Sequence, residues 1–105
     1  DWRLSNPRFS KDSFHQNLKF KQALGEIAGE TKLSIAQLAL AWLLHQNEQT
    51  FPIPGTRSPK RLVENAAAAE IKLSQNQLEQ IAQAQSTFPI TGQRYPEAMM
   101  KLLNA

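Results

Sequence analysis

The chain has no cysteine among its 105 residues. Without cysteine, neither a disulfide framework nor a thiolate metal site can form. Disulfides are typical of small secreted domains and rare in the cytoplasm. The absence of cysteine therefore favours a cytoplasmic protein.

Long apolar runs and blocks of like charge are also absent. A membrane-spanning helix needs roughly 20 consecutive apolar residues, so we expect no membrane association. Nucleic-acid-binding tails are typically runs of like charge, and we expect no nucleic-acid partner. The net charge of +3 and the pI near 9.5 nevertheless permit an anionic ligand.

A chain of 105 residues forms one domain at most, with little margin for a large core. It begins at Asp1, without an initiator methionine or a signal-peptide pattern. We therefore expect residues 1–105 to be a single partial domain from a longer protein.

The sequence predicts a mostly α fold with one short strand. Ser34 with Gln37 and Ser74 with Gln77 form capping boxes, which mark two helix starts. Apolar residues between 20 and 28 share one helical face, and Gly29 is the expected end of that helix. The predicted elements are a loop over 1–13, helices over 14–29, 34–45, 59–68, 74–86 and 96–103, and a strand over 50–53.

The predicted strand has no partner within the chain, and its backbone groups need pairing if they are buried. The helix over 34–45 is apolar around nearly its whole circumference, which is typical of a helix enclosed by other elements. Both features indicate that elements outside these residues complete the fold.

Residues 50–65 have the pattern of a phosphate-binding turn. A short apolar segment leads to Gly55, followed by Ser58 as a helix N-cap and Pro59 at the first helical position. The unpaired amides and the positive dipole end of a helix favour an anion at this point. Hydroxyl and cationic side chains surround it: Thr56, Arg57, Ser58, Lys60 and Arg61.

Four segments resemble the C-terminal part of the aldo/keto reductase superfamily, as found in bacterial members. They are residues 34–44 (SIAQLALAWLL), 53–65 (IPGTRSPKRLVEN), 73–79 (LSQNQLE) and 92–100 (GQRYPEAMM). The resemblance implies the final portion of a (β/α)8 TIM barrel whose other strands pair with residues 50–53. It also implies an NADP(H)-dependent oxidoreductase that transfers hydride to or from a small carbonyl or alcohol substrate.

The resemblance assigns the adenosine 2′-phosphate of NADP(H) to the turn. Gly55 and Thr56 would approach this phosphate, and Arg57 would pair with it from the side. Arg61 would pair with the phosphate and lie against the adenine ring. Many family members have lysine where this chain has Gly55, so Arg57 or Lys60 would have to supply the missing charge. The choice between NADP and NAD stays open at this stage.

The adenine base is assigned to the next turn of the same helix. Glu64 and Asn65 match the family pair that contacts the exocyclic amine and a ring nitrogen. An asparagine side chain offers both a donor and an acceptor for that edge.

No catalytic residue is expected in this chain. The aspartate, tyrosine, lysine and histidine that catalyse the family's reaction lie on earlier strands and have no match here. Tyr95 lies in the C-terminal tail, and His15 and His45 have no carboxylate at a useful spacing. We therefore expect the chain alone to be inactive, with the remainder of the barrel as its natural partner.

Two alternative functions remain at the level of sequence. The basic balance and helical content are compatible with a small nucleic-acid-binding module, although no recognition-helix pattern is evident. A helical protein-interaction module is the other alternative. The exposed strand edge and the apolar helix also predict self-association of the isolated chain.

Overall fold

The computed structural model describes residues 1–103, and these are mostly helical. Five α-helices follow one another along the chain: α1 (Lys11–Glu30), α2 (Ile35–Gln46), α3 (Pro59–Ala67), α4 (Gln75–Thr87) and α5 (Glu97–Met100). Short 3₁₀ segments occur at Trp2–Ser5, Pro7–Phe9 and Ala68–Glu70. No helix in the described part is both long and apolar enough to cross a membrane.

Several predicted bounds differ from the structure. Residues 1–13, expected as a loop, contain two 3₁₀ turns and the start of α1 at Lys11. The helix expected over 96–103 is limited to Glu97–Met100. The described residues form two compact units, residues 1–23 with 83–103, and Leu24–Ala82.

The strand predicted over 50–53 is absent from the described residues. Residues 51–54 make no backbone hydrogen bond to other described residues. Pro52 and Pro54 lack the amide hydrogen that a ladder requires, and residues 1–103 contain no second strand to pair with them. Thr50 instead bonds through its hydroxyl to Asn47 Oδ1 at 3.0 Å. The segment is irregular coil, because strand structure depends on a neighbour.

Helix α1 ends in a Schellman motif rather than at the expected Gly29. The Leu33 amide donates to the Ala28 carbonyl at 2.9 Å, and the Lys32 amide donates to the Gly29 carbonyl at 3.3 Å. Lys32 takes the left-handed conformation that closes this motif, with φ of 56°. The left-handed position is therefore three residues beyond the glycine that the sequence suggested.

The unit Leu24–Ala82 contains the larger share of the buried apolar side chains. Leu38 and Ala41 of α2 are almost completely buried, whereas Leu43 and Leu44 are exposed. Helix α2 is thus only partly enclosed, although its sequence predicted burial on nearly all sides. The buried apolar residues of this unit are Ile27, Ala28, Leu38, Ala41, Ala68, Leu73 and Ile81.

The unit of residues 1–23 and 83–103 is held together by asparagine side chains. Asn17 exchanges two hydrogen bonds with the Thr91 backbone, at 2.9 and 3.0 Å. Buried Asn6 donates to the Arg94 carbonyl at 2.7 Å. Gly92 has φ of +87°, and a Cβ there would lie 2.7 Å from the Pro7 carbonyl oxygen. Glycine is therefore required where the tail crosses the N-terminal turns.

Candidate functional site

The start of α3 is built by two hydroxyl side chains. Ser58 Oγ accepts a hydrogen bond from the Arg61 amide at 3.3 Å, and Pro59 occupies the first helical position. Thr56 Oγ1 accepts from the Ser58 amide at 3.1 Å, which fixes the approach to the helix. The predicted N-cap at Ser58 is confirmed. The Thr56 hydroxyl hydrogen is still available to a ligand, because in this bond the oxygen only accepts.

One amide in the first turn of α3 remains unpaired. Pro59 has no amide hydrogen, the Arg61 amide is bound to Ser58 Oγ, and the Leu62 amide donates to the Ser58 carbonyl at 2.9 Å. The Lys60 amide makes no hydrogen bond within the described residues. Together with the helix dipole, this donor makes the start of α3 favourable for an anion.

The cations of the turn have no acidic partners in residues 1–103. The ion pair recorded in this part of the chain joins Arg3 to Asp1. Arg57, Lys60 and Arg61 are exposed and form no salt bridge within the described residues. An anionic ligand would therefore not have to displace an existing ion pair.

A cavity of about 360 Å³ lies beside the start of α3. This volume is at the small end of ligand pockets, which span about 300–1,000 Å³, so it suits one part of a larger molecule. Five of the six predicted cofactor-binding residues line it, and Arg57 does not. The complete lining is Ala36, Gly55, Thr56, Arg61, Glu64 and Asn65.

Gly55 is not required by the local fold. A Cβ placed on it would meet no atom within 4 Å, and its φ lies outside the left-handed range. Within residues 1–103, no group of the chain makes the close approach that only a glycine would permit. Gly55 lines the cavity, and the space beside it is open to a ligand.

Two residues of the site were missed by the sequence analysis. Ala36, in the first turn of α2, forms part of the cavity lining. Gln37 accepts from the Ser34 amide at 3.2 Å, as the capping box predicts, and also donates from Nε2 to the Glu64 carbonyl at 3.1 Å. The capping pattern identified the first bond, but no local pattern indicates the second, which spans 27 residues.

His15 and Tyr95 each make a local contact with a residue near in sequence. His15 Nδ1 lies 2.7 Å from the Lys11 carbonyl oxygen on its own helix. The guanidinium of Arg94 lies 5.4 Å from the centre of the Tyr95 ring. Within residues 1–103 no group of three or more histidine or carboxylate side chains could hold a metal ion.

Comparison with known proteins places this geometry in a family. The model of the aldo/keto reductase family matches residues 2–86. The chain belongs to the aldo/keto reductase family. Its mostly helical structure is consistent with a portion of the TIM barrel of this family, and the cavity lies within the matched residues.

Curated relatives cover nearly all of the chain. It is 38% identical over 96 residues to the aldo-keto reductase yakc of Schizosaccharomyces pombe, whose name includes NADP(+). It is 38% identical over 80 residues to a probable aldo-keto reductase 1 of Glycine max, and 31% identical over 101 residues to an aldo-keto reductase of Gibberella moniliformis.

These alignments cover 91%, 76% and 96% of the chain but only 28%, 23% and 30% of the respective relatives. The chain therefore spans less than a third of the length of the proteins it resembles. No solved structure matches it.

Proposed function

We propose that this chain binds the adenosine 2′-phosphate end of NADP(H) at the start of α3, as the C-terminal part of an aldo/keto reductase barrel. The observation that carries the proposal is the convergence of Gly55, Thr56, Arg61, Glu64 and Asn65 on one cavity. The NADP(+) in the name of the fission-yeast relative supports the choice of cofactor.

The residues fit the two chemical halves of the ligand. The Lys60 amide, the Thr56 hydroxyl and the Arg61 guanidinium supply donors and positive charge for the phosphate. Glu64 and Asn65, one helical turn further along α3, supply an acceptor and an amide for the adenine edge. Arg57 is exposed outside the lining, where it would pair with the phosphate from solvent.

The whole protein would act on a small carbonyl or alcohol, and the bound cofactor would supply or accept the hydride. This chain's own part is to hold the cofactor at the adenosine end. The strand expected over 50–53 would form against neighbouring barrel strands, which provide the missing backbone partners. We place the protein in the cytoplasm and expect the isolated chain to show no NADPH oxidation with a carbonyl substrate.

Calorimetric titration of the 105-residue chain with 2′,5′-ADP and with 5′-AMP tests the proposal. We expect 2′,5′-ADP to bind more tightly, because only it carries the 2′-phosphate. Arg61→Ala should weaken 2′,5′-ADP binding by about tenfold or more, in line with a lost charged hydrogen bond. Thr56→Ala should weaken it by a smaller factor.

Arg3→Ala is the matched control, since Arg3 is an exposed arginine outside the cavity lining. Equal loss in Arg3→Ala and Arg61→Ala would mean that the ligand responds only to net charge, and the proposal would be wrong. Preferential binding of duplex DNA with a steep salt dependence would favour the nucleic-acid alternative instead. No affinity for either ligand would favour the interaction-module alternative.

A further inference from the structure

Gln37 makes a bond that its helix start does not need. A capping box requires the side chain at this position only to accept from the N-cap amide, here the Ser34 amide at 3.2 Å. The remaining Nε2 group donates across to α3, to the Glu64 carbonyl at 3.1 Å. One side chain therefore joins the first turn of α2 to α3.

The Glu64 carbonyl can accept from a donor outside α3. It belongs to the last turn of α3, where helical carbonyls lose their partners. The Ala68 amide, four residues on, donates to the Asn65 and Ala66 carbonyls instead. Gln37 thus donates to a carbonyl that the Ala68 amide leaves available, where α3 passes into the 3₁₀ turn at Ala68–Glu70.

One end of this bond adjoins the lining of the cavity, and the other end belongs to a residue that lines it. Ala36, the neighbour of Gln37, lines it from α2, and Glu64 and Asn65 line it from α3. The bond therefore fixes the spacing between the wall from α2 and the wall that is assigned to adenine. A shift of α3 would move Glu64 and Asn65 together.

We propose that Gln37 is a positioning residue that sets the adenine-binding wall through the Glu64 carbonyl. This inference rests on the proposed function for the identity of the ligand. It adds a residue outside the cavity lining whose loss weakens binding without removing a ligand contact.

The second capping box of the chain provides a matched control. Gln77 accepts from the Ser74 amide at 2.7 Å, as Gln37 does from Ser34, and its side chain makes no other hydrogen bond within the described residues. Gln37→Met and Gln77→Met each remove the same capping bond without changing the charge. Only Gln37→Met also removes the bond to α3.

The test measures 2′,5′-ADP affinity by calorimetry and amide hydrogen exchange of α3 by NMR without ligand. We expect Gln37→Met to weaken 2′,5′-ADP binding about three- to tenfold and to speed exchange in α3. Gln77→Met should leave both properties near those of the unmodified chain. Equal behaviour of the two variants in affinity and in exchange would overturn the inference.

The exchange measurement separates this inference from the proposed function. If the unmodified chain bound no 2′,5′-ADP, the ligand assignment would fail, and α3 exchange would still decide whether Gln37 positions the wall.

If Gln37→Met did not fold, Gln37→Glu would replace it, with Gln77→Glu as the control, because glutamate keeps the acceptor and loses the donor. Uncharged adenosine would then be the ligand, so that the added charge does not affect the comparison.

Discussion

At the scale of single residues, Gly55 is a position where this chain departs from the pattern of the family that it resembles. Many members have a lysine there, and the structure leaves open space around the glycine. A longer side chain is therefore tolerated sterically. Because Gly55 lines the cavity beside Thr56, an ammonium group at this position would lie near the proposed phosphate.

We predict that Gly55→Lys strengthens binding of 2′,5′-ADP by about two- to fivefold, the range of a partly exposed ion pair. The affinity for 5′-AMP should change less, because the gain depends on the 2′-phosphate. Calorimetric titration with both ligands measures the effect. Gly55→Met, of similar length without charge, is the control, and an equal gain in that variant would contradict the electrostatic explanation.

At the scale of helices, the end of α1 carries backbone strain. Lys32 adopts φ of 56°, a conformation that costs an L-residue roughly 1–2 kcal/mol. Glycine avoids this cost but loses about 0.5–1 kcal/mol through the greater freedom of the unfolded chain. The relief of backbone strain at residue 32 is therefore larger than the entropic cost of the glycine.

We therefore predict that Lys32→Gly raises the free energy of unfolding by about 0.5–1 kcal/mol. Chemical denaturation followed by circular dichroism measures it. Lys19→Gly is the matched control, because Lys19 is an exposed lysine inside α1 and its replacement should cost about 1 kcal/mol. Loss of stability in both variants would show that Lys32 is not strained in solution.

The two capping boxes show what the sequence predicts well. Each contains both reciprocal bonds, Ser34 with Gln37 and Ser74 with Gln77. A cap is decided within four residues, so a local pattern is sufficient to find it. Five of the six proposed site residues share a cavity for a similar reason, since they lie within 11 positions of one another around one helix start.

Contacts between residues distant in sequence leave no local pattern from which they could be predicted. The bond from Gln37 to Glu64 and the bonds from Asn6 to Arg94 and Asn17 to Thr91 join residues that are distant in sequence. Nothing in the pattern of residues 1–13 distinguishes a free loop from turns held by the tail. The strand at 50–53 was also mispredicted for the isolated chain, because strand formation depends on partners and not on the segment itself.

At the scale of the whole molecule, the unit Leu24–Ala82 exposes apolar side chains that a stable monomer would bury. Phe51 and Ile53 are 81% and 94% exposed, and Leu62 and Val63 are 60% and 70% exposed. An apolar groove of about 420 Å³ lies in the same unit, between α2, α3 and residues 51–54. Exposed apolar surface of this kind favours association.

We predict that the isolated chain self-associates through this surface. The backbone of residues 51–54 is unpaired within the described part, so it offers free backbone groups as well as apolar side chains. Phe51→Ser with Ile53→Ser should reduce the association, because both changes remove exposed apolar area without touching a buried residue. Sedimentation velocity over a range of concentrations measures the association.

Trp2→Ser with Leu4→Ser is the control, since those side chains are also highly exposed but belong to the other unit. A monomer at every concentration would contradict the prediction, and a loss of association only in the control pair would place the contact on the other unit.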